Sequence, residues 1–184
     1  MRFGLLLASL VLAVPSSVAA DETLWELMRG GGQVILMRHA VTTAGVGDPA
    51  GFRLDDCSTQ RNLTDAGRED ARRVGAMFRM RGILLGRVLS SPWCRCLETA
   101  RLAFGAAEAW DALSNLFDNR PREAQQLRAL REIAGRRPDV GNVVLVTHGS
   151  VILPLTGIQP APAELVVLTP DGSGRFKVAG RLTP

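Results

Sequence analysis

The sequence predicts an α/β domain: three layers, α/β/α, around a mostly parallel central sheet. Three observations predict it. Short apolar runs alternate with amphipathic stretches of helical period, the pattern of strand–helix–strand units. The runs Gln33–Met37 and Asn142–Thr147 are continuously apolar rather than alternating, so both sheet faces are covered. A composition 46% hydrophobic and 22% charged builds a core and excludes a disordered chain.

Residues 1–20 read as a signal peptide. Arg2 makes a basic end, Gly4–Val14 is an apolar run of about 11 residues, and Val18 and Ala20 are small, so cleavage is expected after Ala20. That run is too short to cross a ~30 Å hydrocarbon layer as a helix, and no later stretch reaches ~18 uninterrupted apolar residues. Residue 21 is Asp, not the Cys of a lipoprotein anchor. The expected product is one domain over 21–184, periplasmic or secreted, without stable membrane insertion; a retained anchor helix is the alternative.

Within the domain, Gly30-Gly31-Gly32 leads into the strand Gln33–Met37. Residues 41–56, rich in Gly, Pro, Asp and Thr, lack period and predict a loop. Thr64 caps a helix through about Arg81, with Ala71, Val74, Gly75 and Phe78 on one face and Gly82 as the stop. Arg87–Ser90 is a short strand, and Pro92 opens a helix to about Phe104. Residues 106–120 give no clear pattern. Pro121–Ala134 repeats apolar residues at helical spacing, Asn142–Thr147 is a buried strand, and Ser150–Thr156 is a short helix broken around Pro154 or Gly157. Residues 164–168 and 175–182 flank Pro170-Asp-Gly-Ser-Gly174, a hairpin signal.

The chain is mildly basic, +4, and Lys177 is its single lysine. An arginine-rich balance fits an anionic ligand, whose oxygens match the guanidinium fork, although codon bias produces the same composition. With 5% aromatics, no tyrosine and no basic run interleaved with aromatics, nucleic acid is not an expected partner. Three cysteines, 57, 94 and 96, allow one disulfide in an oxidising compartment and leave one thiol. Cys94-Arg-Cys96 with only His39 and His148 elsewhere is not a zinc pattern, so neither a metal nor a cofactor is expected.

Three buried strands run directly into polar residues: Gln33–Met37 into Arg38-His39-Ala40, Arg87–Ser90 into Ser91-Pro92-Trp93-Cys94-Arg95, and Asn142–Thr147 into His148-Gly149-Ser150. In parallel sheets ligands bind beyond the carboxyl ends of the strands, so both histidines of the chain and two arginines are expected at one sheet edge. A lone histidine is more often structural. That the whole histidine complement sits at strand ends favours a site.

Leu36-Met-Arg-His-Ala40 resembles the Arg-His-Gly signature of the histidine phosphatase superfamily, the phosphoglycerate mutase-like fold. Leu63–Ala71, Ser90–Ala100 and Val146–Gly149 are similar to its later blocks, in the family's order, over roughly residues 33–157. Ala40 departs from the family's usual Gly and removes no functional group. The resemblance implies a minimal, monomeric version of the fold acting on a phosphorylated small molecule or an envelope phosphate without cofactor or metal. It implies His39 as the nucleophile that forms a phosphohistidine, Arg38, Arg95 and His148 as donors to the phosphoryl oxygens, and Arg61 as a further substrate contact, with a solvated surface arginine as the other reading of Arg61. The small, signal-bearing form resembles exported lipopolysaccharide-core heptose phosphatases. A phosphohistidine-protein phosphatase and a non-catalytic phosphate binder are the alternatives.

The resemblance leaves the general acid open. Glu108, Asp111 and Asp118 lie in the middle segment; Asp118 is the first candidate and Glu164 its rival. The resemblance also puts Cys94 beside the pocket Arg95 and Cys57 in the loop before Arg61, which favours a Cys57–Cys94 disulfide. Free thiols, or Cys96 as the partner, are the other readings.

Overall fold

The computed structural model describes residues 16–117 and 120–183. In chain order the elements are α1 (Ser16–Arg29), β1 (Val34–Arg38), α2 (Asp65–Met80), β2 (Leu85–Ser90), α3 (Cys94–Phe104), β3 (Glu108–Ala109), α4 (Glu123–Ala134), β4 (Asn142–Thr147), α5 (Gly149–Thr156), β5 (Leu165–Pro170) and β6 (Phe176–Leu182). The strands form one sheet in the order β3-β2-β4-β1-β5-β6. The first four are mutually parallel; β5 runs antiparallel to β1, and β6 antiparallel to β5. The sheet is therefore mixed, with the parallel part where the sequence puts its strand-end motifs.

Side-chain alternation explains the unbroken apolar runs. Ile35 and Met37 of β1, Val144 and Val146 of β4, and Leu165 and Val167 of β5 pack into one cluster with α1, α2 and α3. Their neighbours Val34, Leu36, Val143, Leu145, Val166 and Leu168 point the other way, into a second cluster with α4 and α5. Two buried faces need two apolar sets, each side chain contributing about 1.5–3 kcal/mol against exposure.

Helix α2 begins where the sequence places it. The Thr64 hydroxyl accepts the Gly67 N–H at 3.0 Å. Gly67 must be a glycine: a Cβ there would lie 2.1 Å from the Val41 carbonyl oxygen. That close approach presses the first turn of α2 against the chain just after His39.

Several elements differ from expectation. Helix α1 carries no clear sequence signal, yet Leu24, Trp25 and Met28 are buried and Trp25 stacks edge-on against Phe78 at 5.5 Å. Residues 1–15 of the expected signal peptide lie outside the described residues; residues 16–20 open α1, and Leu24, Trp25 and Met28 of the same helix are buried. The unclear stretch 106–120 holds the edge strand β3 and a 3-10 turn at Asp111–Leu113. Helix α3 starts at Cys94, two residues after Pro92, and a 3-10 turn, Arg120–Arg122, precedes α4. Helix α5 continues through Pro154 and ends at Gly157 with φ +77. So near the end of a short helix, proline forfeits a single backbone bond.

Candidate active site

The carboxyl ends of β1, β2 and β4 are stitched together by backbone bonds. The His39 N–H donates to the Thr147 oxygen at 2.9 Å, and the Ser91 N–H to the Val146 oxygen at 2.9 Å. The Ala40 N–H donates to the Thr99 hydroxyl at 3.1 Å, and that hydroxyl donates to the Arg95 oxygen at 2.7 Å, which locks the turn after His39 to α3. Beyond these ends opens a cavity of about 440 Å³, lined by Arg38, His39, Arg61, Arg95 and His148 among others. All five residues expected to hold a phosphoryl group are thus brought to one cavity.

His39 and His148 are both buried, with ring centroids 5.4 Å apart at 66°. His39 Nδ1 lies 2.9 Å from the Ala40 carbonyl oxygen. A carbonyl only accepts, so Nδ1 carries the proton and Nε2 keeps its lone pair. Burial, opposed by that hydrogen bond and reinforced by Arg95, Arg38 and Arg61, lowers the His39 pKa to about 3. The ring is therefore neutral at physiological pH, the form a nucleophile needs. Burial and the facing His39 likewise keep His148 neutral, well below its ordinary range. Its Nε2 shares a 2.8 Å hydrogen bond with the Ser91 hydroxyl, and the Trp93 ring stands edge-on at 5.5 Å.

Each arginine is anchored at one end. Arg38 Nη1 donates to the Pro160 oxygen at 2.8 Å, Arg61 Nη1 to the Gly45 oxygen, and Arg95 Nη1 to both Asp48 carboxylate oxygens at 2.7 and 3.0 Å. Among the described residues, the buried side-chain nitrogens and oxygens without a partner are Nε of Arg38, Arg61 and Arg95. An unpaired buried donor costs about 1–3 kcal/mol, more when charged. Three of them around one cavity make an electropositive cradle that an anion stabilises. Burial, together with Arg61 for Arg38 and with Arg95 for Arg61, lowers both guanidinium pKa values, the mark of like charges held close.

Asp48 escaped the sequence reading. Its side chain is fully buried, and besides Arg95 it accepts the Arg61 N–H at 2.9 Å and the Trp93 indole N–H at 3.0 Å. Although its burial opposes ionisation, the Arg95 hydrogen bond leads the contacts that hold its carboxyl below the usual range. In sequence it stands in Gly45-Val-Gly-Asp-Pro49, where an Asp reads as a turn residue; nothing there separates it from the exposed Asp55. Glu123 also lines the cavity, though its place in the first turn of α4 reads as helix-dipole compensation.

The candidate acids fare differently. Asp118 lies outside the described residues. Glu164 does not line the cavity: it is buried at the start of β5, paired with Arg181 and accepting the Ala161 N–H at 2.6 Å. It has no free face toward a substrate, and the hairpin partner β6 is what removes it. Glu108 sits on the edge strand paired with Arg87 at 2.9 Å, and neither it nor Asp111 lines the cavity. Cys57 and Cys94 form a disulfide, Cα–Cα 5.7 Å, which pins the Arg61 loop to the start of α3. Cys96 is a free buried thiol, pushed up to about 12 chiefly by burial, with its sulfur 3.5 Å from His148 Nε2. No group of three metal-binding side chains occurs among the described residues.

The family model of the histidine phosphatase superfamily, branch 1, matches residues 34–118. That stretch holds His39 and the three arginines; His148 joins them through the fold. Over that stretch, fewer than half of its residues, the chain is similar to the histidine phosphatase superfamily. Solved structures similar to this chain include the candidate phosphohistidine phosphatase SixA from Agrobacterium tumefaciens, at 21% identity and TM-score 0.56, covering 84% of this chain and 99% of that one. Phosphoserine phosphatase from Entamoeba histolytica, in complex with 3-phosphoglyceric acid, matches at 16% identity and TM-score 0.61, covering 83% and 97%. YhfR from Bacillus stearothermophilus matches at 21% identity and TM-score 0.59, covering 80% and 95%. At such identities the likeness is one of fold, the phosphoglycerate mutase-like arrangement. No curated protein matches the chain.

Proposed function

We propose that the protein is an exported phosphatase that hydrolyses phosphate monoesters through a phosphohistidine on His39. The observation that carries this is the neutral, Nδ1-anchored imidazole of His39 set among three anchored guanidinium groups with unpaired buried donors. His39 Nε2 attacks phosphorus, the phosphorus–oxygen bond to the leaving group breaks, and the leaving oxygen takes a proton. Water then attacks the phosphohistidine, releases inorganic phosphate and restores the neutral ring. Arg38, Arg61 and Arg95 hold the phosphoryl oxygens, and His148 donates to them. Transfer of this group is mostly positioning and charge stabilisation, which the side chains of this cavity supply. Asp48 is a positioning residue for Arg95. Glu123, by its place on the cavity wall, and Asp118, one residue beyond the wall residue Phe117, are the proposed proton donors to the leaving oxygen. The structures of SixA and of phosphoserine phosphatase in the same fold support phosphatase chemistry. Export rests on the signal-like residues 1–20, and a substrate of the cell envelope rests on export.

The test compares the protein with His39→Ala on an aryl phosphate at several pH values without added metal. Turnover lost in the variant supports the reading. Equal turnover in both, or turnover that appears only with a divalent cation, overturns it.

A further inference from the structure

From the mouth of this cavity we infer the class of leaving group: an alkyl or aryl moiety beyond the ester oxygen, rather than a polyol. The inference rests on the proposed phosphatase reading for its chemistry and on independent residues for its content. Among the described residues, eight large apolar side chains are exposed, and three of them, Val46, Phe117 and Leu153, line this one cavity. Scattered exposed apolar residues are ordinary; a group gathered at the lip of a charged pocket marks what the pocket receives.

The exposure is built in. Val46 is 95% exposed between Gly45 at φ +126 and Gly47 at φ +72, conformations that only glycine adopts cheaply. That loop is held on both sides: the Gly45 oxygen accepts Arg61 Nη1, and Asp48 accepts Arg95. The groups that fix the phosphate cradle therefore also hold the valine out at the lip. Across the mouth, Ser150, Leu153 and Pro154 share one face of α5 at helical spacing. On this wall the Ser150 and Asn115 side-chain oxygens are engaged within the protein, while Glu123 and Gln159 are further polar side chains that line the cavity. The Ser150 hydroxyl donates to Asn115 Oδ1 at 2.7 Å, the same oxygen accepts the Phe117 N–H at 3.1 Å, and the Leu116 N–H donates to Ser150 Oγ at 3.4 Å. Against Val46, Phe117 and Leu153 a polyol leaving group would lose water at its hydroxyls and meet apolar carbon in return; an alkyl or aryl group gains by the same exchange.

The experiment titrates the protein with methyl-, butyl-, hexyl- and phenylphosphonate, whose carbon–phosphorus bond is not hydrolysed, so that binding is read apart from turnover. Affinity rises roughly threefold to fourfold per added methylene until the lip is covered. Leu153→Asn and Val46→Asn flatten that slope. A flat or falling series, or a slope unchanged in both variants, overturns the inference. As substrates, hexyl phosphate and sorbitol 6-phosphate share six carbons and a primary ester; the hexyl ester is turned over at least tenfold faster. Faster turnover of the sorbitol ester would overturn this inference and leave the phosphohistidine reading standing. No turnover of either, with the phosphonate slope intact, would sink the phosphatase reading alone. A short-chain phosphatidate in vesicles, set against free hexyl phosphate, tells a lipid-borne phosphate from a small free ester.

Discussion

Two cavities of this molecule show what marks a functional site. The larger, about 710 Å³, lies by β2 and the edge strand β3 against α4 and is lined by Arg87, Glu108, Glu132, Arg136, Arg137 and Asp139 among others. The smaller, about 440 Å³, lies at the carboxyl ends of β1, β2 and β4. The larger carries more charged residues, yet Arg87 of β2 and Glu108 of the edge strand β3 pair at 2.9 Å with both side chains exposed, where an ion pair is worth at most about 1 kcal/mol. In the smaller cavity the arginines are held by single anchors, and each keeps a buried Nε without a partner. Volume and formal charge do not separate the two. What separates them is a set of buried guanidinium Nε donors left without a partner, which a fold tolerates where an anion is to be bound.

That contrast can be broken by mutation. Arg95→Ala removes an anchored guanidinium from the smaller cavity and lowers kcat/KM by on the order of 10²–10³ in steady-state assays on an aryl phosphate. Asp48→Ala removes none of the residues proposed to hold the phosphoryl group but frees Arg95 and the Arg61 loop. It costs about 10–100-fold in kcat/KM, in a variant whose circular dichroism stays native. Reduction of the disulfide, or Cys57→Ser with Cys94→Ser, lowers unfolding free energy by roughly 3–4 kcal/mol in denaturant titration, the chain-entropy value for a closed loop of 37 residues. Arg87→Ala in the larger cavity changes kcat/KM by less than about twofold and stability by about 0.5 kcal/mol or less. A large loss of activity there would end the distinction between the cavities.

The pH dependence of stability sharpens the same comparison. The His39 pKa falls from 6.5 unfolded to about 3 folded, so below pH 6.5 the unfolded chain binds a proton that the folded one refuses. Stability from this group is full above pH 6.5 and is lost progressively as pH falls from 6.5 toward 3. His148, shifted the same way, adds to the loss. His39→Gln makes the acid limb of the stability profile shallower in thermal melts; substitutions in the larger cavity leave it unchanged.

Much of this was legible in the sequence, for a physical reason. Strands buried on both faces are continuous apolar runs, and the residues that follow them fall at one sheet edge, so Arg38, His39, Arg95 and His148 could be placed together without a structure. Thr64 declared α2 because its cap is a local hydrogen bond. The parts that stayed hidden depend on contacts distant in the chain. Helix α1 acquires its buried face only by packing on distant elements, Trp25 on Phe78 of α2 and Leu24 by Gly180 of β6. Asp48 becomes a buried anchor only because Arg95, far along the chain, comes to meet it. Glu164 reads as an acid near the sheet edge until β6 folds back and brings Arg181 onto it. The apolar lip also was not legible: Val46, Phe117 and Leu153 come from three separate segments that meet at one mouth.

The most direct test of the central claim is to quench the protein in denaturant during turnover of a phosphate monoester and map phosphate by mass spectrometry under conditions that preserve phosphohistidine. The account predicts one acid-labile, alkali-stable phosphoryl group on His39, absent from His39→Ala. Phosphate trapped on another residue, or steady turnover by a chain that never carries phosphate, would contradict it.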